Sequence, residues 1–160
     1  MTATLKEIII DKDDAVFWLD KNGCWQNENG KFRNQKIIRY FHSCIKRDAQ
    51  GYYLYQENEN YVEKVYFPYE DAALFVFDVI RQNEVTLVLN TKQQVKLRPR
   101  KLFTKDDCLY MHLGEDTVKF AEQGLLKVAP LLEEDNNQLY IRIKDRRYKI
   151  PAINVLSTPG

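Results

Sequence analysis

The sequence predicts an α+β protein with two repeated strand-helix-hairpin units around a mostly antiparallel sheet. The first observation is the order of patterns in residues 20–67, where a tight turn, a short strand, an amphipathic helix and two strand-like runs follow one another. The second is that this order returns, more weakly, in residues 108–152, with matching landmarks roughly 85 residues apart. A chain of 160 residues is long enough to bury a sizeable core.

The first unit is expected to begin at a turn in residues 20–23, because Gly23 accepts a positive φ and Asp and Asn side chains bond to nearby backbone N–H groups. Asn34 is the predicted N-cap of the helix that follows. Apolar residues then recur on one helical face: Ile37, Ile38, Phe41, Cys44 and Ile45. This face should cover a hairpin of residues 52–55 and 61–67, since an isolated hairpin is only marginally stable in water.

The middle of the chain predicts buried strands. Residues 72–80 are almost continuously apolar, which is typical of a strand that is covered on both faces and lies centrally in its sheet. Two shorter runs, residues 85–89 and 95–97, extend it to a three-stranded meander that Pro99 closes.

The second unit should start with a strand in residues 108–113. Asp116 or Thr117 is expected to cap a helix that runs to about residue 132. A hairpin of residues 138–143 and 147–153 then follows. The predicted organisation is a lead at 1–15, a first unit with central strands at 16–90, a second unit at 91–155 and a tail at 156–160.

Charge and cysteine content restrict the compartment and the partners. The formal net charge is +1, so no overall field favours nucleic acid or a membrane. Residues 1–80 carry 10 basic and 13 acidic side chains, and residues 81–160 carry 14 and 10, which makes the second half slightly basic. Three cysteines cannot all pair within one chain, and no apolar run is long enough to span a membrane. We expect a cytoplasmic protein.

Several runs resemble a bacterial family, the domain of unknown function 1285. They are Asp20-Lys21-Asn22-Gly23-Cys24-Trp25, the helical pattern Ile37-Ile38-Arg39-Tyr40-Phe41 with Ser43 and Ile45, Gly51-Tyr52-Tyr53-Leu54, Glu63-Lys64, and Tyr69-Glu70-Asp71-Ala72. The resemblance covers most of the N-terminal half. It implies a small α+β fold with repeated motifs and a role in signalling or ligand sensing, without a particular activity.

The predicted binding site lies where the first hairpin ends and the buried strand begins. Charged residues gather there beside tyrosines, and a clefted charge needs a partner or a ligand. The predicted ligand-binding residues are Arg39, His42, Glu63, Lys64, Tyr69, Glu70 and Asp71. The hypothesis is a regulatory or binding module that recognises a small ligand or a protein, whereas nucleic acid is not the expected partner.

Two alternatives remain open. One is a hydrolase-type enzyme that uses His42 with Glu70 or Asp71 as an acid/base pair. The other is a weak nucleic-acid binder that uses the basic segment 96–105, where five cations surround Phe103. Arg146, Arg147 and Lys149 are separated from this segment in sequence, which counts against a common surface. Phosphate-binding glycine motifs and metal-ligand spacings do not occur in the sequence, so neither a cofactor nor a metal is expected.

Overall fold

The computed structural model describes residues 5–153 and divides them into two compact units. The first unit contains residues 5–73 and 90–92, and the second contains residues 74–89 and 93–153. The class is α+β, as predicted, with sheet as the dominant component. The strands form four sheets within residues 5–153, and not one continuous sheet.

The first unit holds seven strands, one α-helix and a short 3-10 helix at Lys12–Asp14. The regular elements are β1 (Lys6–Ile10), β2 (Phe17–Leu19), β3 (Trp25–Asn27), β4 (Gly30–Lys31), α1 (Gln35–Ser43), β5 (Ile45–Asp48), β6 (Gly51–Glu57) and β7 (Tyr61–Tyr66). One sheet has the order β1-β7-β6-β5, and the other has the order β2-β3-β4. All of these pairs are antiparallel except β1 with β7.

Trp25 is the centre of the aromatic core of the first unit, and its side chain is 1% exposed. The rings of Phe17, Phe41 and Phe67 lie edge-on to it, with centroid distances of 5.8, 5.5 and 5.0 Å. Edge-to-face pairs at these distances stabilise beyond the area they bury. Asn34 caps α1 as predicted, since its side chain accepts hydrogen bonds from the backbone N–H groups of Lys36 and Ile37.

The second unit holds nine strands, one α-helix and two 3-10 helices, at Pro99–Lys101 and Ala129–Leu131. The regular elements are β8 (Leu74–Arg81), β9 (Val85–Leu89), β10 (Gln94–Lys96), β11 (Leu102–Lys105), β12 (Cys108–Leu113), β13 (Asp116–Phe120), α2 (Glu122–Val128), β14 (Leu132–Asp135), β15 (Gln138–Ile143) and β16 (Arg146–Ile150). Their sheets have the orders β10-β9-β8-β13-β12-β11 and β14-β15-β16. The predicted central strand is β8, which lies third of six.

Gly124 lets α2 approach the backbone of β8. A Cβ atom built at this position would overlap the carbonyl oxygen of Val76 and lie 2.9 Å from its carbonyl carbon. The N–H of Ala121 also donates to the Val76 carbonyl oxygen, at 3.1 Å. The absence of a side chain at residue 124 is therefore a packing requirement.

Two predicted helix boundaries are wrong. Residues 116–120 form β13, because they pair with β12 on one side and with β8 on the other, and only 122–128 are α-helical. Ile45 belongs to β5, where it pairs with Leu54, so it does not extend the face of α1. Ile37 is 46% exposed, and Phe41 is the member of the predicted face that enters the aromatic core.

In both units a helix precedes an antiparallel set of three strands, α1 before β5, β6 and β7, and α2 before β14, β15 and β16. A repeat of the whole strand-helix-hairpin unit stays a prediction. The predicted tail at 156–160, and the outer ends of the segments predicted at 1–15 and 91–155, lie outside the described residues.

Candidate functional site

His42 is a core residue of the first unit and is 4% exposed. Its Nδ1 atom accepts hydrogen bonds from the indole N–H of Trp25 and from the side-chain amide of Asn90, both at 3.2 Å. The amide of Asn90 also donates to the backbone carbonyl of Ala73, at 3.2 Å. Burial lowers the pKa of His42 from 6.5 to about 4, so the ring is neutral at pH 7.

The structure gives the hydrolase hypothesis no support. A general base must reach the proton that it abstracts, and the buried ring of His42 already accepts two hydrogen bonds. The carboxylate of Glu70 accepts a hydrogen bond from the backbone N–H of Lys21, at 2.8 Å. His42 and Glu70, two of the three residues named in that hypothesis, thus have structural partners.

Lys64 belongs to a hydrogen-bonded cluster on one face of the first sheet. Its Nζ atom lies 3.2 Å from the carboxylate of Asp48, and the hydroxyl of Tyr66 donates to the same carboxylate at 2.6 Å. The Tyr66 hydrogen bond is the main cause that lowers the pKa of Asp48. The ammonium also lies 4.6 Å from the ring centroid of Tyr53. Glu63 precedes Lys64 on β7, so its side chain points to the other face of the sheet.

The remaining predicted site residues lie elsewhere in the first unit. Tyr69 is 37% exposed and packs edge-on against Tyr52, with ring centroids 5.6 Å apart. Asp71 is half-buried in the turn that follows Glu70, and Arg39 is exposed on α1. The predicted set is therefore distributed over a buried core position, a sheet face, a turn and a helix surface.

A basic cleft lies in the second unit. Its volume is about 320 Å³, and it is lined by the residues Arg100, Arg146, Arg147, Tyr148 and Lys149. Tyr148 holds the guanidinium groups together, because the Cζ atoms of Arg100 and Arg146 lie 5.5 and 5.0 Å from its ring centroid. Contacts of this type offset part of the repulsion between like charges.

Local backbone geometry explains how the cleft forms. Pro99 starts the 3-10 helix that carries Arg100, which suits the fixed φ of proline. Lys144 and Asp145 both have positive φ, 48° and 62°, and they close the tight turn between β15 and β16. The chain leaving β16 then runs beside β11, where the N–H of Thr104 donates to the carbonyl of Pro151 at 2.9 Å. This pairing brings β16 to the 3-10 helix.

Most of the charge in the basic cleft is uncompensated. Within residues 5–153, Arg147 is the one lining cation with an ion-pair partner, Asp135 at 3.2 Å, and its guanidinium lies 3.8 Å from the ring centroid of Tyr140. Lys96, from the predicted basic segment, pairs instead with Glu84 at 2.9 Å. Both basic segments that form the cleft are recognisable in the sequence, but no local pattern indicates that they meet.

Residues 5–153 contain neither a candidate membrane-spanning helix nor a candidate metal-ligand cluster. No helix there has the length and apolar content needed to cross a membrane. No group of three or more His, Cys, Asp or Glu side chains in that range has the geometry to hold a metal ion.

The fold is similar to that of a crystallised protein from the family that the sequence resembles. A DUF1285 family protein from Silicibacter pomeroyi DSS-3 superposes with a TM-score of 0.58 at 13% identity, covering 91% of this chain and 84% of that one. A DUF1285 family protein from Shewanella baltica OS155 has a TM-score of 0.47 at 18% identity, covering 67% of this chain and 84% of that one. No family model and no curated protein matches the sequence. The predicted resemblance to this family, whose function is unknown, is confirmed.

Proposed function

We propose that the protein is a non-catalytic binding module that holds a phosphate-bearing ligand in the basic cleft of the second unit. The observation that carries this proposal is the convergence of Arg100 and Arg146 on one tyrosine ring in a cleft where no carboxylate side chain is found among the lining residues that the structure describes. A guanidinium presents several N–H donors in a planar fork that fits phosphate oxygens. Two such groups beside one cleft favour an anion over a neutral ligand.

The cation–ring contacts also reduce the cost of ligand binding. Arginine side chains are long, and immobilising each of them on binding costs about 0.5–1.5 kcal/mol. In the basic cleft, the ring of Tyr148 already positions Arg100 and Arg146. The site is therefore partly organised before the ligand arrives.

The regulatory role and the cytoplasmic location predicted from the sequence are part of the same proposal. Cys24, Cys44 and Cys108 are free thiols, which supports a reducing compartment. The buried state of His42 and the structural hydrogen bond of Glu70 support a binding role over hydrolysis.

Titration with inorganic tripolyphosphate tests the proposal, by calorimetry at constant ionic strength. Arg146→Ala and Arg100→Ala should each weaken binding about tenfold or more, since a charge-assisted hydrogen bond contributes about 1.5–3 kcal/mol. Arg142→Ala is the matched control, because Arg142 is on the same hairpin but pairs with Glu133, at 2.6 Å. Equal affinities for the wild type and the three variants would refute the proposal.

A second candidate site lies around Lys64, one of the ligand-binding residues predicted from the sequence. On the face of β5, β6 and β7, the ammonium of Lys46 lies 4.3 Å from the ring centroid of Tyr55, beside the similar contact of Lys64 with Tyr53. Tyrosines with a polar rim are typical of protein contact surfaces. If Lys64→Ala abolished binding of a recovered partner while Arg146→Ala had no effect, the functional site would be this face.

A further inference from the structure

The second unit, which contains the basic cleft, also contains a stack of three aromatic rings. One of these rings belongs to a residue that is close in sequence to Arg100 of the cleft. Phe103 on β11 stacks on Tyr110 with a centroid distance of 5.2 Å and an interplanar angle of 10°. It also stacks on His112, at 4.4 Å and 26°. Phe103 and Tyr110 are buried, whereas His112 is the exposed member of the stack. The ammonium of Lys105 lies 5.1 Å from the ring centroid of Tyr110.

The cleft and the ring stack share one continuous segment. The 3-10 helix Pro99–Lys101 supplies Arg100 to the cleft, and β11 begins at the next residue and supplies Phe103 and Lys105 to the stack. The six residues from Arg100 to Lys105 are joined by five peptide steps and span at most roughly 17 Å. This segment carries no carboxylate. Cations and stacked rings thus occur together over a distance that several nucleotides cover.

The inference from these features rests on the proposed function, and it narrows the class of ligand that the basic cleft binds. An inorganic phosphate or a small phosphate ester would use the arginines alone. Single-stranded nucleic acid needs a positively charged track for its backbone and exposed rings on which bases stack. Histidine is among the side chains that serve as stacking partners for unpaired bases. We propose that the basic cleft and the His112 stack together bind single-stranded nucleic acid.

The test is fluorescence anisotropy with a labelled oligothymidylate of roughly 12 nucleotides, a length within the usual range for single-strand modules. The oligonucleotide should bind at least about tenfold more tightly than tripolyphosphate at the same ionic strength. The logarithm of its binding constant should fall with the logarithm of salt concentration, with a slope of about −2 to −3 for three or four phosphate contacts.

Variants separate the two parts of the surface. His112→Ala should weaken oligonucleotide binding several-fold without changing tripolyphosphate binding, and His112→Phe should restore it because the ring is retained. Arg146→Ala should weaken binding of both ligands, whereas Arg142→Ala should change neither. Far-ultraviolet circular dichroism and the melting temperature check that each variant keeps the fold.

Each other outcome overturns the inference in an identifiable way. If the oligonucleotide binds no more tightly than tripolyphosphate, the ligand is a small anion and the proposed function still holds. If His112→Ala has no effect on oligonucleotide binding, the ring stack takes no part in binding and the inference is wrong. If poly-glutamate binds as tightly as the oligonucleotide, the cleft recognises acidic peptide and the nucleic-acid assignment is wrong. If no anion binds, both proposals fail.

Discussion

Acidification should destabilise the first unit through His42. The loss of stability should begin near pH 6.5, which is above the unfolded pKa values of 3.8 and 4.5 for Asp48 and Glu133. The ring is buried, and its Nδ1 atom accepts hydrogen bonds from Trp25 and Asn90. Protonation of Nδ1 would abolish both hydrogen bonds and place a charge in the core. The folded state therefore favours the neutral ring, and its pKa falls to about 4 from the ordinary value of 6.5.

The direction and size of the effect follow from linkage between folding and protonation. Between pH 6.5 and pH 4 the unfolded chain binds a proton at His42 and the folded chain does not, so the free energy of unfolding decreases as the pH falls. The expected loss is about 2 kcal/mol by pH 5 and about 3 kcal/mol by pH 4. The carboxylates of Asp48 and Glu133, whose pKa values are lowered, contribute stability that is lost only below their unfolded values of 3.8 and 4.5.

Urea unfolding followed by tryptophan fluorescence, at several pH values from about 7.5 to 5, measures this loss. His112→Gln is the matched control, because it leaves His42 as the one histidine of the chain, and the loss caused by His42 should persist in it. His42→Asn should remove most of the pH dependence over this range, whatever its own stability. A wild-type protein whose stability is constant from pH 7.5 to 5 would refute the assignment, as would an NMR titration of the His42 ring with a midpoint near 6.5.

Two further predictions concern packing in the separate units. Gly124→Ala should destabilise the protein by more than about 2 kcal/mol in thermal or urea unfolding, because the new methyl group would overlap the backbone of Val76, although alanine normally favours a helix. Gln123→Ala is the control at an exposed position of α2, and it should be neutral or slightly stabilising. A stabilised Gly124→Ala variant would contradict the close approach of α2 to β8. Phe41→Ala should lower the free energy of unfolding by about 3 kcal/mol, because the ring of Phe41 packs against Trp25 and Phe17. Arg39 is exposed on the same helix, so Arg39→Ala should change the free energy of unfolding by less than about 0.5 kcal/mol. Similar small effects at both positions would contradict the packing of α1.

The sequence predicts those helix starts, strands and turns that are determined by residues close together in the chain. Asn34 caps α1 because the capping partners lie two and three residues away, and the strand at Leu74–Arg81 follows from its continuous apolar run. The helix predicted to start near Asp116 failed for a different reason. Residues 118–120 pair in parallel with β8, more than 40 residues earlier in the chain, and local periodicity contains no information about that pairing.

The sequence by itself determined the α+β class, the central strand, the cap of α1 and the residue types available for binding, because these depend on neighbours within a few positions. Tertiary structure decided which of those residues meet. It buried His42 against Trp25 and separated it from the charges of the predicted site. It also brought the guanidinium groups of Arg100 and Arg146 within 5.5 and 5.0 Å of the ring centroid of Tyr148. Forty-five residues separate those arginines in the chain, so their proximity follows from strand pairing beside β11 and not from any local pattern.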